Sequence, residues 1–135
     1  FGGIMIWTQS LFGELKCIDD EATCILDGEN ARRGMKVSGT DSVVLKIRAI
    51  TFKNGKGDWG GGIYLLDSSI TDILLCTFSD CTASSHLGGG AIAIDSYSIL
   101  NVYGTSFSGN SAPTESDDID NWSASVTIHN TCPSP

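Results

Sequence analysis

The chain has 135 residues, and its 16 acidic and 8 basic side chains give a formal net charge of −8. That length fits one domain that can bury a core. The negative charge argues against a nucleic-acid or anionic-membrane surface, since phosphates would be repelled. No stretch approaches the roughly eighteen apolar residues of a transmembrane helix. The chain starts at Phe1 without an initiator Met, which favours a processed protein or a piece of a longer one.

Short β-branched and aromatic runs, separated by Gly, Ser, Asp and Asn, follow one another from FGGIMIW to SVTIHN. No window keeps the i, i+3, i+4 apolar spacing of an amphipathic helix. The pattern therefore predicts an all-β fold of short strands and turns.

A glycine followed by an apolar run recurs along the chain. Gly34 precedes MKV, Gly62 precedes IYLL and Gly90 precedes AIAI, each 28 residues after the one before. One further period leads to Asp118, which precedes Ile119. The repeat predicts a single domain of stacked rungs near residues 1–33, 34–61, 62–89, 90–117 and 118–135.

A phenylalanine marks the same point of three repeats. VLKIRAITFKN, ITDILLCTFSDC and ILNVYGTSFSGN align on Phe52, Phe78 and Phe107. Apolar and polar residues alternate on either side of a break, which predicts two strands that meet at a corner and about three strands per rung. Stacked rungs would pile the rings into an internal ladder. The repeated glycines mark a corner that needs a positive φ or leaves no space for a side chain. The alternative is a β-sandwich with coincidental turns.

The motifs resemble a known family. GGGAIAI with FSGN, and GGGIYLL with FSDC, resemble the GGA[ILV] and FxxN motifs of polymorphic outer-membrane-protein repeats. CIDDEATCILDGENARR and DDIDNWSASVTIHNTCPSP resemble related β-helix modules in surface proteins of algae and other protists. The resemblance covers most of residues 11–135. It implies a right-handed, single-stranded, pectate-lyase-like parallel β-helix in a surface-exposed protein. The chain departs from the motifs at Cys81, where the family has Asn, and at Asp117 and Asp118, where it has Gly-Gly.

The chain contains five cysteines. Cys17 and Cys24 flank the loop IDDEAT, and their family-like placement implies a disulfide. Cys76 falls at an inward position and is predicted to be a buried thiol, unless it bonds to Cys81 beyond the next bend. Cys132 lies two rungs further, ~10 Å away by rung spacing, so it is either free or bonded outside this chain.

The compartment follows from two signals. Asn121-Trp122-Ser123 is an N-glycosylation sequon, and a disulfide requires an oxidising environment. Together they predict a secreted or cell-surface protein. The alternative is the lumen of an organelle such as the thylakoid.

No catalytic constellation is recognisable. The pectinase signatures of this architecture are absent, and KIR at 46–48 reverses the RIK motif. Lys46 and Arg48 share an outward face, but the matching positions on the next rung are Asp72 and Leu74, which predicts a solvated charge contact. His86 and His129 have no metal-ligand spacing. We therefore predict no catalytic residues and no cofactor.

Two other clusters have a functional and a structural interpretation. Asp117, Asp118 and Asp120 form a weak calcium candidate, but an acidic loop that closes the last rung explains them better. Trp59 and Trp122 are expected next to the same glycine-rich corner in different rungs. They form either a sugar-stacking or partner-binding patch, or ordinary loop anchors.

The first rung is apolar at Ile4, Met5, Ile6 and Trp7, and nothing there resembles a polar cap. Because open strand edges invite pairing, we expect this end to meet further rungs or a protein partner. The sequence thus predicts a non-catalytic structural or adhesive module of a larger assembly. The alternative is a module or enzyme that acts on polysaccharides, uronate polymers included.

Overall fold

The computed structural model describes residues 4–8, 12–17, 24–39, 43–86, 88–95, 97–113 and 116–131, with backbone only for residues 4–8 and 39. These residues form sixteen β-strands and no helix. In chain order the strands are β1 (Ile4–Thr8), β2 (Phe12–Lys16), β3 (Cys24–Asp27), β4 (Met35–Gly39), β5 (Val44–Arg48), β6 (Ile50–Lys53), β7 (Lys56–Gly57), β8 (Ile63–Leu65), β9 (Ile70–Leu74), β10 (Thr77–Ser79), β11 (Thr82–Ala83), β12 (Ile92–Ile94), β13 (Ile99–Tyr103), β14 (Ser106–Ser108), β15 (Ile119–Asn121) and β16 (Ser125–His129).

The strands stack into parallel sheets that run along one axis. The first sheet has the order β1-β4-β8-β12-β15, the second β2-β5-β9-β13-β16 and the third β3-β6-β10-β14, while β7 and β11 form a short pair. Consecutive turns of the chain therefore lie on one another, and the predicted all-β parallel β-helix is confirmed. Its right-handedness remains a prediction that agrees with the general preference for right-handed crossovers.

The corner between the second and third sheets is a single left-handed residue on each rung. Ala49, Leu75 and Gly104 have φ values of 56°, 52° and 50°, and strand pairing on both sides keeps them in one column. This bend confirms the predicted corner between two short strands. It also explains why the apolar alternation breaks just before each phenylalanine.

The predicted aromatic ladder is present in the core. The rings of Phe52 and Phe78 stack with centroids 4.8 Å apart, and those of Phe78 and Phe107 with centroids 5.3 Å apart. Leu26 continues the column below Phe52 through the pairing of β3 with β6. Buried aliphatic columns fill the rest of the interior, among them Met35, Ile63 and Ile92, and Ile47, Ile73 and Val102.

The glycine column differs from the predicted one by one residue. Met35 pairs with Ile63, which places Gly34 beside Gly62. Ile63 pairs with Ile92, 29 residues later. The equivalent of Gly62 is therefore Ala91, and Gly90 lies beside Gly61. The sequence alignment was wrong here because this rung is one residue longer than the 28-residue repeat.

Close approach to the aromatic ladder explains the two glycines that do share a column. A Cβ on Gly34 would lie 2.7 Å from the carbonyl oxygen of Gly62 and 2.8 Å from the ring of Phe52. A Cβ on Gly62 would lie 2.7 Å from the ring of Phe78. Neither glycine has a positive φ. Of the two predicted reasons for glycine, the lack of space is the correct one at these positions.

Candidate functional site

The interior columns of the β-helix end at an uncovered surface on the last rung. Ile128 lies in register with Val102, yet Val102 is 2% exposed and Ile128 is 65% exposed. Phe107, Ile119 and Val126 extend other buried columns and are themselves only half-buried. We call these four side chains, with the outer edges of β14, β15 and β16, the C-terminal end face. Within the described residues no strand pairs with those edges.

At the opposite end, the outer edges of β1, β2 and β3 likewise pair with no strand in the described part of the chain. Leu15 and Leu26 continue buried columns there and are half-buried. The predicted interface residues Ile4, Met5, Ile6 and Trp7 lie on β1, whose backbone pairs with β4. Their side chains fall outside the described part of the structure, so the N-terminal interface stays a prediction.

An aromatic groove crosses the outer face of the first sheet. Trp59, Tyr64, Ala93, Asp95 and Trp122 line it, together with Ile94. The sequence suggested that the two tryptophans lie at the same corner, which is wrong, because Trp59 precedes β8 and Trp122 follows β15. Both border the groove around the small Ala93, where the cavity is about 10 Å³.

A turn at Gly60 places Trp59 over the sheet. Gly60 has a φ of 61°, and a Cβ there would lie 2.8 Å from the amide nitrogen of Ala93 and would also clash with the carbonyl oxygen of Ile63. Only glycine suits both this conformation and this close approach. Gly88 gives Trp59 space on its other side, since a Cβ at Gly88 would lie 3.2 Å from the indole ring.

The groove has a polar side built on Tyr64. Burial, followed by the negative charge of Asp95, raises the pKa of Tyr64 to about 12, and a hydrogen bond joins the two side chains. The Trp59 and Tyr64 rings meet edge to face at 5.4 Å. The Arg33 guanidinium lies 5.3 Å from the Tyr64 ring centroid and donates to the carbonyl oxygens of Trp59 and Gly60. Trp59, which precedes the central strand β8, is therefore held in place by Tyr64 and Arg33.

Comparison of the chain with protein-family models, with curated proteins and with solved structures finds no match. Functional inference therefore depends on the geometry of the end faces and the groove. Sequence reasoning identified the two tryptophans but missed Tyr64, Asp95 and the C-terminal end face. The strand register was the missing signal, because it shows which columns end uncovered and which side chains flank Ala93.

The sequon asparagine belongs to the C-terminal end face. Asn121 is exposed, and its Oδ1 accepts a hydrogen bond from the backbone nitrogen of Ala124 at 2.8 Å. Its strand pairing continues the column of Leu65 and Ile94, both of which are buried. A glycan on Asn121 and a further rung would therefore occupy the same space.

Two of the acidic residues near the end of the chain accept hydrogen bonds that hold the last bend. Asp117 accepts a hydrogen bond from the backbone nitrogen of Ala112, and Asp118 accepts one from the Asn110 side chain, both at 3.0 Å. Asp120 lies on β15, in register with Ala93. Among the described residues no group of three or more His, Cys, Asp or Glu side chains forms a metal site. The weak calcium candidate is therefore not assembled here.

The outer face of the second sheet places Lys46 beside Asp72 and Arg48 beside Leu74, in the predicted register. Asp72 accepts a hydrogen bond from the Asn101 side chain at 2.8 Å. The two side chains in register with Asp72 are therefore those of Lys46 and Asn101. Neither is a carboxylate that could act with Asp72 as an acid–base pair. In the described part of the chain there is no helix long and apolar enough to cross a membrane.

The Cys17–Cys24 disulfide is formed, with a Cα–Cα distance of 5.5 Å. The second pairing considered above is wrong, because Cys76 and Cys81 are separate buried thiols. Their sulfurs donate to the carbonyl oxygens two residues earlier, at 3.4 and 3.5 Å. Burial raises the pKa of both thiols, to about 11 for Cys81. Cys132 lies outside the described residues.

Proposed function

We propose that the chain is a non-catalytic β-helix module, incorporated in a larger assembly by further parallel strands that stack on its C-terminal end face. The observation that carries the proposal is the column that ends at Ile128, which loses its cover between one rung and the next. Burying such a side chain contributes about 1.5–3 kcal/mol. The C-terminal end face leaves several such side chains in water beside unpaired strand edges, which favours association with another molecule or segment.

Parallel β-rungs are the occupant that this surface fits best. The edges of β14, β15 and β16 continue three parallel sheets, so an added rung would repeat the pairing used inside the molecule. Its inward side chains would extend the same apolar columns. The second surface, at β1, β2 and β3, offers an equivalent set of edges for stacking in the other direction.

The Cys17–Cys24 bond is compatible with an extracellular or other oxidising compartment. We place the assembly in the secretory pathway or at the cell surface, with an organelle lumen as the alternative. The chain's negative charge favours neither nucleic acid nor anionic lipid as the partner. The alternative function, polysaccharide binding, draws its support from the aromatic groove rather than from the ends.

Hydrogen exchange tests the proposal directly. Amides of β16 that face away from β13 are expected to exchange slowly in the assembly isolated from the native source and rapidly in the purified chain. Incorporation of the Ile128→Lys variant into the assembly should fall at least tenfold. Leu75→Lys, a matched change at an exposed lateral bend, should leave it unchanged. Equal exchange in both preparations, or equal incorporation of both variants, would overturn the proposal.

A further inference from the structure

We propose that the aromatic groove binds a neutral polysaccharide, with pyranose rings stacked on the indoles of Trp122 and Trp59. This inference is independent of axial stacking, because the groove lies on the lateral face of the first sheet. Trp122 is 54% exposed and Trp59 is 37% exposed, so both residues are accessible to a ligand in solvent. Apolar rings with a few fixed polar groups beside them are the usual lining of a small-molecule site.

The groove is pre-formed on rigid elements. Trp59 is held by the Gly60 turn, by the Tyr64 ring and by Arg33, which donates to its carbonyl oxygen. Trp122 follows directly on β15, and its backbone nitrogen donates to the carbonyl oxygen of Ile94 at 3.0 Å. A ligand that stacks on these indoles therefore meets rings whose backbone is already ordered, which reduces the entropic cost of binding.

The shape of the groove favours a sugar over a protein side chain. The depression above Ala93 is shallow, about 10 Å³, which is at the lower limit for one water molecule, so it has no depth for an inserted side chain and a ligand would lie flat on the groove. Asp95 lies on the rim with its carboxylate oriented by Tyr64. Carboxylates accept strong hydrogen bonds from hydroxyl groups, so the rim matches the equatorial hydroxyls of a stacked pyranose.

The charge around the groove selects a neutral polymer. Four carboxylates lie around it, those of Asp58, Asp67, Asp95 and Asp120. The cations nearby are Arg33 and Lys36, both within 6 Å of the Tyr64 ring centroid. Arg33 already donates to two backbone carbonyl groups. A uronate chain would meet more negative than positive charge, so the surface disfavours the acidic polymers considered from the sequence.

The groove also fixes the direction of the polymer. It reaches from β8 across β12 to the residue after β15, which is two strand spacings or ~10 Å. Trp59 precedes β8 and Trp122 follows β15, so the line between them is oblique to both the strands and the helix axis. A linear polysaccharide would therefore lie diagonally across the sheet, with sugars on the two indoles.

Affinity electrophoresis of the purified chain tests the site. Gels that contain a neutral β-glucan, mannan or xylan serve as probes, and gels with polygalacturonate serve as the acidic comparison. We expect retardation by at least one neutral polymer and none by polygalacturonate. Trp122→Ala should weaken the retardation at least tenfold, whereas Phe12→Ala, which removes an aromatic ring that is 89% exposed on the second sheet, should not change it.

Two further readouts keep the outcomes distinct. Unfolding temperature and circular dichroism verify that Trp122→Ala is folded, and Ile128→Lys should bind the polymer like the unmodified chain. No retardation by any neutral polymer, stronger retardation by polygalacturonate, or equal retardation of Trp122→Ala would each overturn the proposal. Trp122-dependent binding to a protein of the native extract alone would assign the groove to a protein interface instead.

Discussion

Thr71 lies directly above Leu45 inside the β-helix and directly below Leu100, and its hydroxyl has no hydrogen-bond partner. All three side chains are buried. Two residues before Thr71, the Ser69 hydroxyl lies 3.3 Å from the Ser98 hydroxyl of the next rung, and the two satisfy each other. Neighbouring positions of the interior therefore contain a polar pair that is satisfied and a hydroxyl that is not.

Thr71→Val is expected to stabilise the chain. The variant keeps the shape of the side chain and removes a buried, unsatisfied hydroxyl, whose burial costs about 1–3 kcal/mol. Chemical denaturation should show an increase of about 1 kcal/mol in the free energy of unfolding. Ser98→Ala serves as the opposite control, since it removes the partner of Ser69 and should lower the free energy of unfolding by about 1 kcal/mol. A destabilised Thr71→Val would show that the hydroxyl is satisfied in solution.

Gly62→Ala is expected to destabilise the chain by about 1–3 kcal/mol, because the new methyl group would overlap both the Phe78 ring and the carbonyl oxygen of Ala91. Phe78→Leu in the same background should recover part of the loss, so a double-mutant cycle should give a favourable coupling between the two changes. Gly57→Ala is a useful comparison, since the atoms nearest to its new methyl group belong to the Arg33 side chain and not to an aromatic ring of the ladder. Additive effects of Gly62→Ala and Phe78→Leu would contradict the steric explanation.

Much of the fold follows from the sequence because each rung repeats the same pattern of short apolar strands, a bend and a buried phenylalanine. The phenylalanines had to be buried, and their spacing determined which strands stack. The glycine alignment failed between Gly62 and Gly90, since a repeat in sequence does not reveal a one-residue insertion within a rung.

The aromatic groove was predicted only in part. The sequence indicated Trp59 and Trp122 as a sugar-stacking or partner-binding patch, but their place on one groove depends on Ala93 and on the Gly60 turn.

Stability should fall as the pH rises above about 9, because Cys81 is buried as a neutral thiol. Its pKa is raised from 9.0 to about 11 in the folded chain, so between these values the folded state binds more protons than the unfolded state. The stabilisation is fully present below pH 9 and is lost as the pH rises through 11. Denaturation between pH 8 and pH 10 checks this. Cys81→Ala should reduce the slope of the free energy of unfolding against pH. An unchanged slope would show that groups other than Cys81 cause the pH dependence.

Glycosylation of Asn121 and axial stacking are expected to exclude each other. Asn121 continues the buried column of Leu65 and Ile94, so a glycan there would fill the space of the next rung. Expression through a secretory pathway should give a chain whose mass falls on glycosidase treatment, and Asn121→Gln should abolish that shift. When the two glycoforms compete for the native assembly, only the unmodified form should enter. Recovery of glycosylated chain from the assembly, in proportion to its supply, would show that the C-terminal end face stays open.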